Sequence, residues 1–146
     1  MACRLGHRCT PTFPGLTPLE TERSALHKLQ GVRVTVAAEA LADGRVVKSD
    51  EWELLFRFYG LSGPVILNLS EAVAPLISEH PVAVRVNFFP GFNADALDDF
   101  LRERWGRHPH RTAAFSFTGV LPDKVPPVLL PLVGVSPDQR AGEVSA

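Results

Sequence analysis

The sequence predicts an α+β fold. Three observations carry that expectation. Residues alternate apolar and polar with period two in 31–40 and again in 81–91, as strands with one buried face do. Apolar residues fall at helical spacing after Asn93. The order runs strands, one short helix, a strand, then helices, which is not an alternating βαβ order. A chain of 146 residues suits one domain or a domain with a small appendage, and is long enough to bury a core.

Residues 1–30 read as a crossing segment. The stretch "TPTFPGLTPLETERSALHKLQ" holds three prolines and no clean period, so it should run extended, with Leu16 and Leu19 as anchors. Residues 31–91 form the β-rich part. Val32, Val34 and Val36 alternate with Arg33 and Thr35, and Asp43-Gly44 is a two-residue hairpin turn into a second strand over residues 45–48. In "EWELLFRFYG" a third strand should place Trp52, Leu54, Phe56 and Phe58 on one face. Then comes "GLSGP", residues 60–64. Ser62 or Gly63 is expected to cap a helix with Pro64 at its first position, running to about Ser70. "PVAVRVNFFPG" gives the clearest strand signal, through Val82, Val84, Val86 and Phe88.

Residues 92–135 should be helical. Asn93 caps a helix with Asp95 in its first turn, Leu97, Phe100, Leu101 and Trp105 on one face, and Gly106 at its end. Residues 112–121 predict a short helix with Phe115, Phe117 and Leu121 inward. Four of the thirteen prolines fall in "LPDKVPPVLLP", which must therefore be a broken helix or several turns. Residues 136–146 have little to bury and are expected to be a mobile tail.

Composition narrows the function. A net charge of −1 with no basic cluster argues against a nucleic-acid surface. No apolar run is long enough to span a membrane, and the start lacks the apolar core of a signal peptide, so a cytoplasmic protein is expected. Cys3, His7 and Cys9 offer fewer ligands than a structural zinc site needs, even with His27 added, so no metal is expected. No two glycines are separated by a single residue, which excludes a dinucleotide fingerprint, and no phosphate-binding P-loop is present. Ser62 is not in a G-x-S-x-G setting, and the histidines at 7, 27, 80, 108 and 110 supply no evident base for it. Asp95, Asp98 and Asp99 read as charges that complement a helix N-terminus. No catalytic residue can be named. The glycine turn itself either holds an anion on its free N–H groups or only redirects a strand into a packed helix, and the second reading is the simpler.

"ELLFRFYGLSGPVILNLS" resembles the segment of bacterial FAD-dependent oxidoreductases of the aminoacetone-oxidase-like (BaiN-like) family in which Leu-Phe-Thr-His precedes Gly-Leu-Ser-Gly-Pro and an apolar helix. "LGHRCTPTFPGLTPLET", "VRVNFFPGFNADALDDFL" and "FTGVLPDKVPPVLLPLVGV" are similar to three further pieces of that family, in the same order, so that the resemblance spans residues 5–135. It implies an inserted domain: a small antiparallel β-barrel-like sheet with an appended helical cluster, lying beside a flavin held by a separate dinucleotide-binding domain. On this reading the chain is a substrate-side or lid domain, inactive alone. FAD belongs to the full-length family, and none is expected on this chain. The flavin-binding domain is the partner, and Gly60, Ser62 and Gly63 form the contact toward it. Exposed edges would also favour homo-oligomers. The alternative is a free-standing binding or interaction module derived from the insert. Two departures stand out. Arg57 and Phe58 replace the Thr-His pair, and prolines 126, 127 and 131 interrupt a helix that is regular in relatives.

Overall fold

The structure, a computed structural model, describes residues 2–8 and 10–144. Five strands form one antiparallel sheet: β1 (Leu19–Glu20), β2 (Arg33–Ala42), β3 (Arg45–Arg57), β4 (Gly60–Ser62) and β5 (Val82–Asn87). They lie in the order β1-β4-β3-β2-β5. Helices α1 (Pro64–Val73), α2 (Ala94–Arg107) and α3 (Pro126–Leu129) complete the α+β fold. The sheet curls into a half-barrel.

The β2–β3 hairpin is the backbone of the sheet. Asp43 and Gly44 both take positive φ, 49° and 75°, which is the two-residue turn whose twist matches paired strands. The two strands expected over 45–48 and 51–60 are one strand of 13 residues, because β2 is long enough to pair with it from Ala42↔Arg45 to Arg33↔Leu55. A register shift between Ala40 and Leu41 absorbs one extra residue of β3. β3 stops at Arg57, and Phe58-Tyr59 is the tip that leads into β4. Phe58 is therefore outside the ladder and 67% exposed, contrary to its expected place on the buried face. Trp52 shares the face of Leu54 and Phe56 but is 61% exposed, so the cover over that face ends before it.

Helix α1 lies on the sheet. Val65, Ile66, Leu69, Ser70 and Val73 make its buried stripe, against Leu54, Phe56, Val36 and Ala38 in one core. It runs one turn beyond the expected end at Ser70. The Ser70 hydroxyl donates to the Leu67 carbonyl (2.7 Å) and accepts from the Thr17 N–H (2.9 Å), so one buried side chain ties the crossing segment to α1. Within that segment Leu19 anchors as expected, by pairing with Leu61. Leu16 does not anchor: it sits in a turn at φ 52°, ahead of the pairing, and is 63% exposed. Residues Ala25–Leu29 form a 3-10 helix that buries Leu29.

The Asn93 side chain accepts from the Ala96 N–H at 2.8 Å and starts α2 as expected. The helix passes Gly106 and ends at Arg107, since Gly106 keeps an ordinary helical backbone. None of its residues is fully buried. Arg104 docks it to the next segment, donating from Nε to the Ser116 carbonyl (2.6 Å) and from Nη2 to the Thr118 carbonyl (3.0 Å). That segment is a 3-10 helix, Ala114–Phe117, with Phe117 and Leu121 buried. Phe115 points out instead, 43% exposed, because residues two apart cannot share a face at three residues per turn. The proline-rich stretch is α3 followed by a 3-10 helix, Leu130–Val133, a broken helix as the prolines require. Beyond Ser136 the chain has more to bury than its composition implied. Ala141 is 1% exposed, and the Ala113 and Ala141 N–H groups donate to Gln139 and Arg111 carbonyls (2.7 and 2.8 Å).

Two variants check this account. Leu69→Ala empties part of the core and should lower stability by about 2–5 kcal/mol. Ser70→Ala leaves the half-buried Thr17 N–H to water and should lower it by about 1 kcal/mol. Denaturant melts should return the losses in that order, and equal losses would contradict it.

Candidate functional site

Two places could meet another molecule: the glycine turn and the opening of the half-barrel. The turn is built from β4. Gly60 and Leu61 pair on both sides at once, with Glu20 and Leu19 of β1 and with Arg57 and Phe56 of β3, while Ser62 pairs with Leu55 of β3 alone. Gly60 takes φ 146°, and a Cβ there would overlap the Leu19 carbonyl oxygen and come within 2.8 Å of the Thr21 nitrogen. Gly63 takes φ 92°, and a Cβ there would meet the Glu53 oxygen at 2.7 Å and the Leu55 nitrogen at 2.9 Å. Both glycines are required by close approach of backbone to backbone. Gly63, not Ser62, is the N-cap of α1, while Ser62 belongs to β4 and is half-buried.

Little open space remains at the turn. The space beside each glycine is filled by neighbouring strands. At the start of α1, Pro64 has no N–H, and the Ile66 and Leu67 N–H groups both donate to the Gly63 carbonyl at 3.0 Å. Few donors remain for an anion there.

The second place is the seam. The strands β1 and β5 are the two edges of the sheet, and curling brings them to opposite walls of one cleft of about 570 Å³. Residues 19–22 line one wall and 81–84 the other, with Phe56 and Leu61 between. The inward residues of β5, Val82, Val84 and Val86, are only half-buried, because they face the cleft. His27 and His80 also line it. The Ser24 N–H donates to His27 Nδ1 (3.1 Å), which leaves the proton of a neutral ring on Nε2. His80 Nδ1 pairs with Asp43 Oδ2 at 2.7 Å across an exposed corner.

The other candidates do not converge. His108 and His110 are exposed in the connection after α2, Asp98 is paired with Arg102 at 2.6 Å, and Asp95 lies in the first turn of α2. Among the described residues no three His, Cys, Asp or Glu side chains are grouped as metal ligands. Of the Cys3, His7 and Cys9 set, Cys9 lies outside the described residues. No helix among them is long and apolar enough to cross a membrane. The seam was missed in the sequence because five separate segments build it. Its only trace is that β5 alternates so cleanly while standing next to proline-bounded ends.

Fold and turn together define a class: a small half-barrel domain with a helical extension, shaped by a Gly-Leu-Ser-Gly-Pro crossing. Residues 13–146 match the family described as HI0933-like protein barrel and H2TH domain, and the chain belongs to that family. It is also similar to the 3-dehydro-bile acid delta(4,6)-reductase of Clostridium scindens, 28% identical over 145 residues. That alignment takes in 99% of this chain but only 36% of the reductase. These matches agree with the resemblance in the motifs: the chain is homologous to the insert domain of a FAD-dependent oxidoreductase family.

Substitutions separate shape from capping. Gly60→Ala should cost more than about 2 kcal/mol, because it sets a Cβ against β1 in a strained conformation. Ser62→Ala, outside any cap, should cost less than about 0.5 kcal/mol. Gly106→Ala, with open space around it in α2, should be neutral or stabilise by up to about 1 kcal/mol. Thermal or denaturant melts check the order, and a benign Gly60→Ala would contradict the close-approach account.

Proposed function

We propose that this chain serves as the substrate-side, lid-like domain of a FAD-dependent oxidoreductase and is inactive alone. One observation carries the reading: nearly the whole chain aligns with about a third of a reductase, so the aligned region is a domain-sized part of a larger flavoenzyme architecture. In such an enzyme the flavin supplies hydride transfer. This chain's own residues would border the reaction space and exclude water from it.

The flavin-binding domain is the partner in this reading, and it holds the FAD. The glycine turn supports the contact indirectly. Gly60 and Gly63 fix the backbone so that Ser62 and the neighbouring Phe58-Tyr59 tip are presented together. Phe58, exposed and edge-on to Tyr59 with ring centroids 5.0 Å apart, is the apolar group nearest the turn in sequence that a partner could cover. It stands where relatives carry histidine, so this chain brings an apolar surface to that position and no proton-carrying group. A cytoplasmic setting is part of the same proposal.

A chimera tests it. The homologous region of the Clostridium scindens reductase is replaced by this chain. The chimera should purify with one equivalent of FAD, while the isolated chain should give no saturable quenching in a flavin fluorescence titration. Phe58→Asp should weaken substrate turnover in the chimera by about tenfold or more without changing FAD content. A folded chimera that loses its flavin, or an isolated chain that binds FAD stoichiometrically, would overturn the assignment.

A further inference from the structure

The curled sheet is open between β1 and β5. β1 pairs only with β4 and β5 only with β2 among the described residues, so each has one edge free of a partner strand. We propose that the seam between those two edges is a docking site for an extended peptide with alternating apolar and basic residues, presented by another protein. The peptide becomes a sixth strand and closes the barrel.

Four observations carry this. First, the cleft walls are made of consecutive residues, 19–22 on one side and 81–84 on the other. A cavity against the face of a sheet would be lined by alternate residues, because side chains alternate between faces. Where the wall is strand, at Leu19–Glu20 of β1 and Val82–Val84 of β5, consecutive lining places main-chain edges in it. Beside those edges the Thr21 N–H already donates to the Tyr59 carbonyl and the Pro81 carbonyl accepts the Asp43 N–H, both at 3.1 Å, so the free edge is confined to the strands themselves. Second, antiparallel pairing throughout the order β1-β4-β3-β2-β5 makes β1 and β5 run the same way. A strand running the opposite way would be antiparallel to both neighbours at once. Third, the size fits. A strand takes about 160 Å³ per residue, from spacings of roughly 4.8 Å between strands, 10 Å between layers and 3.3 Å along the chain. The cleft of about 570 Å³ therefore accepts roughly three or four residues.

Fourth, the two sides of the seam differ chemically. Inward it offers Phe56, Leu61, Val82, Val84 and Val86, which select apolar side chains at every second position. At the outer rim Glu20 and Glu22 are exposed, and neither forms an ion pair with a basic side chain among the described residues, which favours Lys or Arg at the alternate positions. Arg85 of β5 is already engaged by Glu39 at 3.0 Å and does not oppose them. A second copy of this chain is a poor donor. Its own stretches of this alternating type, in residues 32–36 and 84–86, are already built into β2 and β5. This is β-augmentation, in which main-chain bonds give affinity and alternate pockets give selectivity.

The test is a fluorescence anisotropy titration with a labelled, end-blocked hexapeptide alternating valine and lysine, run beside the same peptide N-methylated at every second amide. The plain peptide should bind saturably at one site, and N-methylation should weaken it by about tenfold or more. The exposed-site double variant Glu20→Lys with Glu22→Lys should keep its circular dichroism and melting point yet bind about three- to tenfold more weakly. Val84→Lys, which sets a charge inside the seam, should abolish binding. Four results would each overturn the proposal: no saturation, equal affinity of the N-methylated peptide, concentration-dependent dimerisation that the rim variant removes, or an apolar dye that fills one site which the peptide cannot empty. The outcome is independent of the flavin reading, which the chimera alone addresses.

Discussion

The whole arrangement rests on how closely three short pieces of backbone approach at β4. Residues Gly60–Ser62 are paired on one side with β1 and on the other with β3. No side chain fits at Gly60 without striking β1, or at Gly63 without striking β3. That contact does several jobs together. It attaches the crossing segment to the sheet, sets the start of α1 directly over β3, and fixes the direction of a helix whose buried stripe fills the core. The glycine turn between two apolar segments thus has a steric explanation. The glycines are there because backbone occupies the space a Cβ would need.

Legibility in the sequence followed the range of each interaction. β2 and β5 were readable because one buried face writes itself as alternation. The Asp43-Gly44 turn, the Asn93 cap and the broken proline helix were readable because each depends on a few adjacent residues. The elements that were not readable are those fixed from far away. β1 and β4 are two and three residues long and exist as strands only because they find each other and β3. Ser49 and Asp50 lie between the two strands expected over 45–48 and 51–60. They continue β3 because Glu39 and Ala38 pair with them, and Asp50 accepts the Asn68 amide at 2.7 Å. Phe115 faces out because the local helix is 3-10, and Ala141 is buried by Pro109 to Arg111, thirty residues upstream.

The family relationship was legible in motifs, while the candidate site was not. In one dimension the Gly-Leu-Ser-Gly-Pro crossing allows either an anion cradle or, more simply, a plain turn from strand to helix. In three dimensions Pro64 and the Gly63 carbonyl use up or remove the donors that such a cradle needs. The seam has the opposite history. Its residues carry no motif, and it is visible only once the sheet curls and two distant edges face each other.

The short β1 strand has a consequence for the order in which the molecule assembles. The β2–β3 hairpin closes a two-residue turn, which costs little chain entropy. Joining Leu19 to Leu61 closes a loop of about forty residues, and the return is small: two paired residues, the Thr21–Tyr59 and Ser70–Thr17 bonds and the burial of Leu19. Contacts of such separation and so small a reward form late. One wall of the seam is then the last part of the sheet to arrive and the first to fray, while the β5 wall is already held along six residues of β2. The crossing segment behaves as a latch on an otherwise complete sheet, and any strand that lodged against it would keep the latch shut by mass action.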